Sequence, residues 1–433
     1  MKFTEYLKRE TLKKTFKTKL KNSYTLGTDG ISTNKFSEII DEEISIIKRK
    51  VKNKTYNISP YKEQLILKSR HSNPRMISIP TNRDKLVLSA LHQFLAIEFK
   101  DKISDSNVST KIHTIKQQIE SKKYDSFIKL DIKSFYPNIN HAILLEKLKE
   151  HINDEEALYL LEKALTQITI AKGRRVDKKN NIETKGVAQG LSISNILASI
   201  YLNDLDVKYS KPANLEYFRF VDDILILCDS NDVEAIQSSI CKDFEDLLLE
   251  VHTFKDGSDK STSGTIYKDR FQFLGFEFYD NIISVREQSV DKLRDRIVEV
   301  FYKNQAKQLD WGLDLETSDD NKQNDKNLYK ELNLKISGCI YENKQYGWMQ
   351  FFRHINDETL LYSLDSFVKN QFKRFNREYK EKKIKKFTKT YFYLKNYDVN
   401  KLHENSYIPK FDTSPDSDFM IMFENMKEDV DFY

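Results

Sequence analysis

Three acidic side chains raise the chemical question in this sequence. Asp222 and Asp223 stand side by side in YFRFVDDILIL, between two runs of strand-forming apolar residues. Two ionised carboxylates about 4 Å apart repel by roughly 4 kcal/mol at an effective dielectric near 20. They need a cation, a raised pKa or access to solvent. The plain explanation is a polar hairpin turn, since Asp is common in turns. A third carboxylate, Asp131, lies in SFIKLDI, where Ile128, Leu130 and Ile132 alternate with Phe127, Lys129 and Asp131. That alternation predicts a strand with the aliphatic triplet on helices and Asp131 on an open face. Three carboxylates converging there would suit hard divalent cations, because Mg²⁺ takes oxygen ligands. Two such ions about 3.5–4 Å apart activate a hydroxyl and steady a leaving phosphate. The chemistry is phosphoryl transfer.

The elements that must position these residues are readable from periodicity. Residues 34–53 read as a helix carrying Ile39, Ile40, Ile44 and Ile47, and EQLILKSRHSNPRMISIP reads as a hairpin by its turn chemistry. Residues 84–100 look helical, and Asn140 can cap a helix with Leu144, Leu148 and Ile152 on one face. Helices also fit 154–170, 191–209 and 232–250, with the Asp-Asp hairpin before the last. FQFLGFEFYDNIISV predicts a second hairpin, and beyond residue 286 the pattern is almost wholly helical. Asp314 to Asn327 is polar and without periodicity, so it reads as a linker. No repeat of solenoid length stands out. Strands and helices in this order suit an α+β layer design, an antiparallel sheet with helices on one face and a substrate on the other.

Composition bounds the class. A chain of 433 residues suffices for two or three subdomains, and its 12% aromatic content argues for a folded core. No run of about 18 apolar residues exists, so no membrane partner is expected. The basic start lacks an apolar h-region, which argues against a secretory signal. Cys228, Cys241 and Cys339 show no paired spacing and read as free thiols in a reducing compartment, with the cytoplasm as the expected location. The net charge of +5 is unevenly spread. From Lys369 to Lys389 cations dominate, among them Lys373, Arg374 and Arg377, interleaved with Phe372, Phe375, Tyr379 and Phe387. This run is either a solvated helix face or a surface for phosphate backbones.

KLDIKSFYPNI, GVAQGLSISNILA, FRFVDD, a Lys-bearing segment and FQFLGFEF follow one another in the chain. This ordered set resembles the palm motifs of reverse transcriptases, and LILKSRHSNPRMISIPTNRDKLVL looks like their fingers. The resemblance covers about residues 27–285. It implies an α+β right-hand polymerase: N-terminal helices and fingers over 1–120, palm over 121–285, and a mostly α-helical thumb and C-terminal region over 286–433. Asp131, the Ile132 carbonyl, Asp222 and Asp223 would hold two Mg²⁺ ions, with Mn²⁺ as a possible substitute. Tyr136 matches the aromatic that blocks a ribose 2′-hydroxyl, and Gln189 and Gly190 match the segment beside the templating base pair. Lys68 and Arg75, across the fingers hairpin, could both reach one triphosphate. Lys260 resembles the lysine that protonates departing pyrophosphate, although Lys255 lies close by. Phe273, Leu274 and Gly275 match the primer-grip turn, and Phe220 would lie near the primer end. Implied partners are an RNA template, dNTPs and the DNA product.

Departures from the usual pattern narrow the resemblance. Phe220 stands where Tyr is usual, Ala188 where Pro is usual, Asn195 in place of a Ser-Pro, and Val221 is β-branched beside the turn. Together they resemble divergent bacterial reverse transcriptases of the abortive-infection and unknown-group kind, associated with phage defence. A Val-Thr-Gly, an HNH-like His and Cys cluster and a Ser-Gln after Gly190 are all missing from the sequence, which favours that group over retron, many intron and diversity-generating enzymes. The implied function is RNA-directed DNA synthesis in antiphage defence, with a structured noncoding RNA as partner. Two rivals stay open: template-independent synthesis primed on a protein hydroxyl, with 23 Tyr residues including Tyr433 to choose from, and an RNA-binding scaffold that needs no catalysis.

Overall fold

The computed structural model describes residues 2–21, 23–67, 74–103, 107–171, 184–254, 260–309, 318–342, 344–396 and 407–411. Its packing divides the chain into two compact units, Met1–Asp105 with Ile128–Ser263 and Ser106–Phe127 with Gly264–Tyr433. The second unit thus takes in a segment that precedes the Asp131 strand in the sequence.

In the first unit, strands β1 (Tyr61–Ile66) and β2 (Arg75–Ile79) pair antiparallel, from Lys62 opposite Ile79 to Ile66 opposite Arg75. The intervening Lys68 lies outside the described residues. Thr81 caps the helix Asn82–Glu98, accepting from the Asp84 amide at 3.2 Å while its hydroxyl donates to Asp84 Oδ2 at 2.6 Å. Asp84 is buried and also accepts from the Tyr56 hydroxyl at 2.7 Å, so the cap ties the helix to the core. The predicted helix over 34–53 is two helices, Thr33–Glu38 and Ile40–Lys52, parted at Ile39.

Strand β3 (Ser126–Asp131), the short β4 (Thr169–Ile170), β5 (Leu215–Phe220), β6 (Asp223–Cys228) and β7 (Thr262–Thr265) follow, and a four-stranded sheet runs β5-β6-β3-β7. The division between the units falls within β3 and β7. The helix Ser194–Tyr209 starts later than the pattern suggests, and Val233–Asp246 ends earlier. β3 departs from the predicted alternation in one respect. Ile128 and Leu130 are buried as expected, but Phe127 and Lys129 on the other face are buried too, leaving Asp131 alone half-exposed at the strand's end. Phe127 is covered because its ring stacks on Phe271 with centroids 4.2 Å apart.

In the second unit, β8 (Phe271–Phe273), β9 (Phe276–Tyr279) and β10 (Ile282–Val285) form a three-stranded antiparallel meander in place of the single predicted hairpin. Two turns make it. Leu274 and Gly275 have φ of 53° and 85°, and Asp280 and Asn281 have φ of 43° and 63°. Paired positive φ values twist a two-residue turn to match the strands that flank it. Among the described residues past 286 helices predominate, with the short strands β11 (Cys339–Tyr341), β12 (Lys344–Tyr346) and β13 (Lys410–Phe411) beside them. Gly338 makes these strands possible, because a Cβ there would lie 2.1 Å from the Tyr346 carbonyl oxygen. The predicted linker is partly helix: Ser318–Ser337 is helical, and residues 314–317 lie outside the described residues. Among the described residues no helix is long and apolar enough to cross a membrane.

Candidate active site

The Asp-Asp hairpin is built on a strained residue. β5 and β6 pair from Leu215–Cys228 to Phe220–Asp223, so Val221 and Asp222 form a two-residue turn. Val221 has φ of 58°, a region that costs a non-glycine residue about 1–2 kcal/mol and suits a β-branched one poorly. Arg219 braces it, donating from Nη1 to the Val221 carbonyl at 3.0 Å. Its Nε donates to Asp206 Oδ1 at 2.7 Å and its Nη2 pairs with Asp206 Oδ2, while the Tyr217 hydroxyl donates to Oδ1 at 3.1 Å. Burial works to lower the Arg219 pKa, but the hydrogen bond and charge of Asp206 outweigh it and leave it raised. A bidentate pair of this kind fixes geometry as well as charge.

Asp222 sits in this turn, Asp223 opens β6, and Asp131 closes the neighbouring β3. Burial raises the Asp222 pKa; the charge of Asp131 raises it further, and Arg75 and Lys260 pull it down. The charges of Asp131, Arg75 and Lys260 therefore all reach Asp222. Asp131 has its own neighbours: the Lys260 ammonium lies 2.8 Å and His252 Nε2 3.4 Å from Oδ2. The Asp131 amide donates to Ser261 Oγ at 3.2 Å and its carbonyl accepts from the His252 amide at 3.0 Å. Ile132 is buried and bridges Val251. Among the described residues no group of three or more His, Cys, Asp or Glu side chains stands at metal-ligand spacing. The donor chemistry nevertheless fits a hard cation, since the acidic oxygens of Asp131 and Asp222 repel and one is partly desolvated. Lys260 supplies the positive charge to Asp131 in this arrangement.

Tyr136 lies in the short helix Phe135–Asn138, and its hydroxyl donates to Asn195 Oδ1 at 2.7 Å. Burial, with Asp222 adding to it, pushes its pKa up to about 12. Gln189 accepts from the Ser78 amide at 2.7 Å, tying this segment to β2. Gly190 follows with φ of 97°, and a Cβ there would lie 2.5 Å from Ile77 Cγ2 and 3.1 Å from the Ser78 carbonyl oxygen. Only glycine permits that approach. Arg75 is exposed at the start of β2, its charge felt at both Asp222 and Tyr136. Phe220 ends β5 opposite Asp223. The first unit thus brings together Asp131, Asp222, Lys260, Arg75 and Tyr136. Sequence reasoning missed His252, Ser261, Asp206 and Arg219. Only Arg219 left a trace, as a charge inside a strand otherwise read as apolar.

The remaining predicted contacts belong to the second unit. Phe273, Leu274 and Gly275 make the β8–β9 turn, with Phe273 and Leu274 buried. Lys373 and Arg374 are exposed in the last turn of the helix Glu358–Arg374, where cations also favour the helix dipole, and Arg377 follows. The aromatics between these cations turn inward: Phe372 and Phe387 are buried, and Phe375 stacks on Phe301 at 5.1 Å.

The sequence model described as "Reverse transcriptase (RNA-dependent DNA polymerase)" matches residues 60–278. The group II intron-encoded protein LtrA of Lactococcus lactis is 27% identical over 187 residues, 41% of this chain and 30% of LtrA. Protein YkfC of Escherichia coli is 25% identical over 200 residues, 43% of this chain and 50% of YkfC. The chain therefore spans half or less of the length of these relatives. Apo telomerase from Candida tropicalis aligns with a TM-score of 0.43 at 14% identity, over 84% of this chain and 69% of that one.

Proposed function

This chain belongs to the reverse transcriptase (RNA-dependent DNA polymerase) family, and on that premise we propose that it copies an RNA template into DNA, in the service of bacterial antiphage defence. The observation that carries the reading is electrostatic. Asp131 closes β3 and Asp222, 91 positions away in sequence, sits in the turn just before the neighbouring β6, so close that the charge of Asp131 raises the Asp222 pKa.

Asp131, Asp222, Asp223 and the Ile132 carbonyl would hold Mg²⁺ ions, or Mn²⁺ in their place. Bound there, the ions would activate a primer hydroxyl and neutralise charge on the leaving phosphates. The chain's own groups do the rest. Lys260 holds a proton for the departing pyrophosphate and must release Asp131 when a cation takes its place. The Tyr136 ring bars a ribose 2′-hydroxyl, Arg75 and Lys68 grip the triphosphate, and Gln189 and Gly190 border the templating pair. Phe220 and the Phe273–Leu274–Gly275 turn meet the primer, and Lys373, Arg374 and Arg377 meet RNA backbone. The defence role draws its support from Phe220, Val221, Ala188 and Asn195, and a structured noncoding RNA is the template that goes with it.

Primer extension on an RNA template tests the chemistry. The Asp222→Ala/Asp223→Ala double variant is expected to lose about a thousandfold or more of its incorporation rate with an unchanged circular dichroism spectrum. Wild-type rates in that folded variant would refute the assignment. For the biological role, phage plating on cells carrying either form should show protection by the wild type only. Sequencing of copurifying nucleic acid should recover one structured RNA and its cDNA.

A further inference from the structure

In the second unit the helix Val108–Glu120 meets Arg353 and His354, which follow the short helix Trp348–Phe351. Ser109 Oγ lies 2.8 Å from His354 Nε2, and Arg353 Nη2 donates to the same Oγ at 3.1 Å. Arg353 Nη1 donates to Gln345 Oε1 at 3.1 Å, and its Nε points at His354 Nε2 from 3.4 Å. That nitrogen is then an acceptor, so the Ser109 hydroxyl donates to it. Lys116 Nζ reaches the His354 carbonyl at 3.5 Å, and the His113 ring lies 5.5 Å from that of His354.

The charges here are out of balance. Every acceptor around the half-buried Arg353 guanidinium among the described residues is neutral: a hydroxyl, an amide oxygen and an imidazole nitrogen. Among the described residues no carboxylate meets it, and burial lowers its pKa. Arg219, which is set deeper, has Asp206 to compensate it. Lys116 pairs with one acid among the described residues, Glu120, at 3.9 Å. A partly desolvated guanidinium without an acid is unfavourable unless an anion completes it. The donors left over, two N–H groups of a planar fork and an ammonium, suit the oxygens of a tetrahedral anion, and their shared charge repels any metal cation.

We propose that Lys116 and Arg353, the latter positioned by Ser109 and His354 and with His113 at the rim, bind a phosphate of a nucleic-acid backbone. The inference rests on the polymerase reading for its ligand, because a strand being copied offers phosphodiesters to the second unit as well. Free phosphate or a nucleotide shares that chemistry, and the test separates the two sources.

Full-length protein is titrated with a labelled RNA–DNA primer–template duplex over about 50–200 mM salt. Lys116→Gln and Arg353→Gln are each expected to weaken binding about 3–10-fold and to reduce the slope of log affinity against log salt by about one. Arg353→Lys should keep the slope. Lys116→Gln alters one partly exposed side chain, so it decides the matter if Arg353→Gln does not fold. Wild-type slopes in a folded Lys116→Gln protein that still incorporates dNTPs would overturn the site and leave the polymerase reading intact. So would an unchanged slope with weaker inhibition by inorganic phosphate or a raised KM for dNTP, which would mark a free-phosphate site. A wild-type protein that neither binds the duplex nor incorporates dNTPs would overturn both.

Discussion

Arg219 donates from Nη1 to the carbonyl of Val221 at 3.0 Å while Asp206 holds its Nε at 2.7 Å. A helix, Ser194–Tyr209, thereby reaches through a buried ion pair to the strained residue beside Asp222. The Arg219 side chain is only 9% exposed, so removing either partner leaves an uncompensated charge inside the protein. Arg219→Met should destabilise the fold by about 3–5 kcal/mol in urea denaturation. Arg219→Met with Asp206→Leu should recover most of that loss, since an apolar pair removes both charges. Activity should stay low in the double variant, because nothing then braces the Val221 carbonyl. Wild-type primer extension by a stable double variant would show that the brace is dispensable.

Asp222 is unfavourably placed for stability, being partly buried and repelled by Asp131. Asp222→Asn keeps the shape and removes the charge. In metal-free buffer this variant should melt at or above the wild-type temperature, while incorporation falls about a thousandfold or more. A lower melting temperature together with high activity would reverse the expected exchange of stability for function.

Tyr136 is held by Asn195 through a 2.7 Å hydrogen bond from its hydroxyl. If the ring excludes ribonucleotides, Tyr136→Ala should raise the ratio of rNTP to dNTP kcat/KM at least about tenfold, a difference near 1.4 kcal/mol. Tyr136→Phe keeps the ring and should stay near wild type. Asn195→Ala should fall between, since it loosens the ring without shrinking it. Equal ratios across the series would remove the gate role.

The hairpin around Asp222 was legible because two alternating apolar runs bracket an Asp pair, a local signal. β3 was legible as a strand, yet alternation names two faces without saying which is covered; Phe271, far along the chain, decides that for Phe127. Contact across 129 positions, as between Lys260 and Asp131, leaves no periodic trace. A family resemblance singled Lys260 out where spacing alone did not, and nothing singled out His252. β11 and β12 escaped notice because three-residue strands carry no period; the close passage of Gly338 by Tyr346 is a tertiary fact. The polar stretch from Ser318 to Asn327 lacks an apolar stripe, so the first half of its helix read as a linker.

Gly190 offers a test of close packing between the Gln189 segment and β2. Gly190→Ala places a Cβ against Ile77 and the Ser78 carbonyl oxygen and strains a backbone at φ of 97°. The strain alone amounts to about 1–2 kcal/mol, and the contact adds to it. A thermal melt should show the loss, and primer extension should fall with it. Ile77→Ala in the same chain removes the nearer contact and should restore part of both, leaving the φ strain. Full activity in Gly190→Ala alone would mean that the segment shifts freely against the strand.

His354 gives the second unit an acid-sensitive point. Burial foremost, then the charges of Arg353, His113 and Lys116, lowers its pKa from 6.5 to about 4. Between those values the unfolded chain binds a proton that the folded chain refuses. Stability contributed by the neutral ring is therefore whole above pH 6.5 and declines as pH falls toward about 4. His354→Gln has no such proton to bind in either state. Its urea midpoint should fall less than that of the wild type between about pH 7 and pH 4.5, although carboxylates elsewhere lower both. Parallel declines in the two proteins would show that His354 titrates in the folded protein much as it does in the unfolded chain.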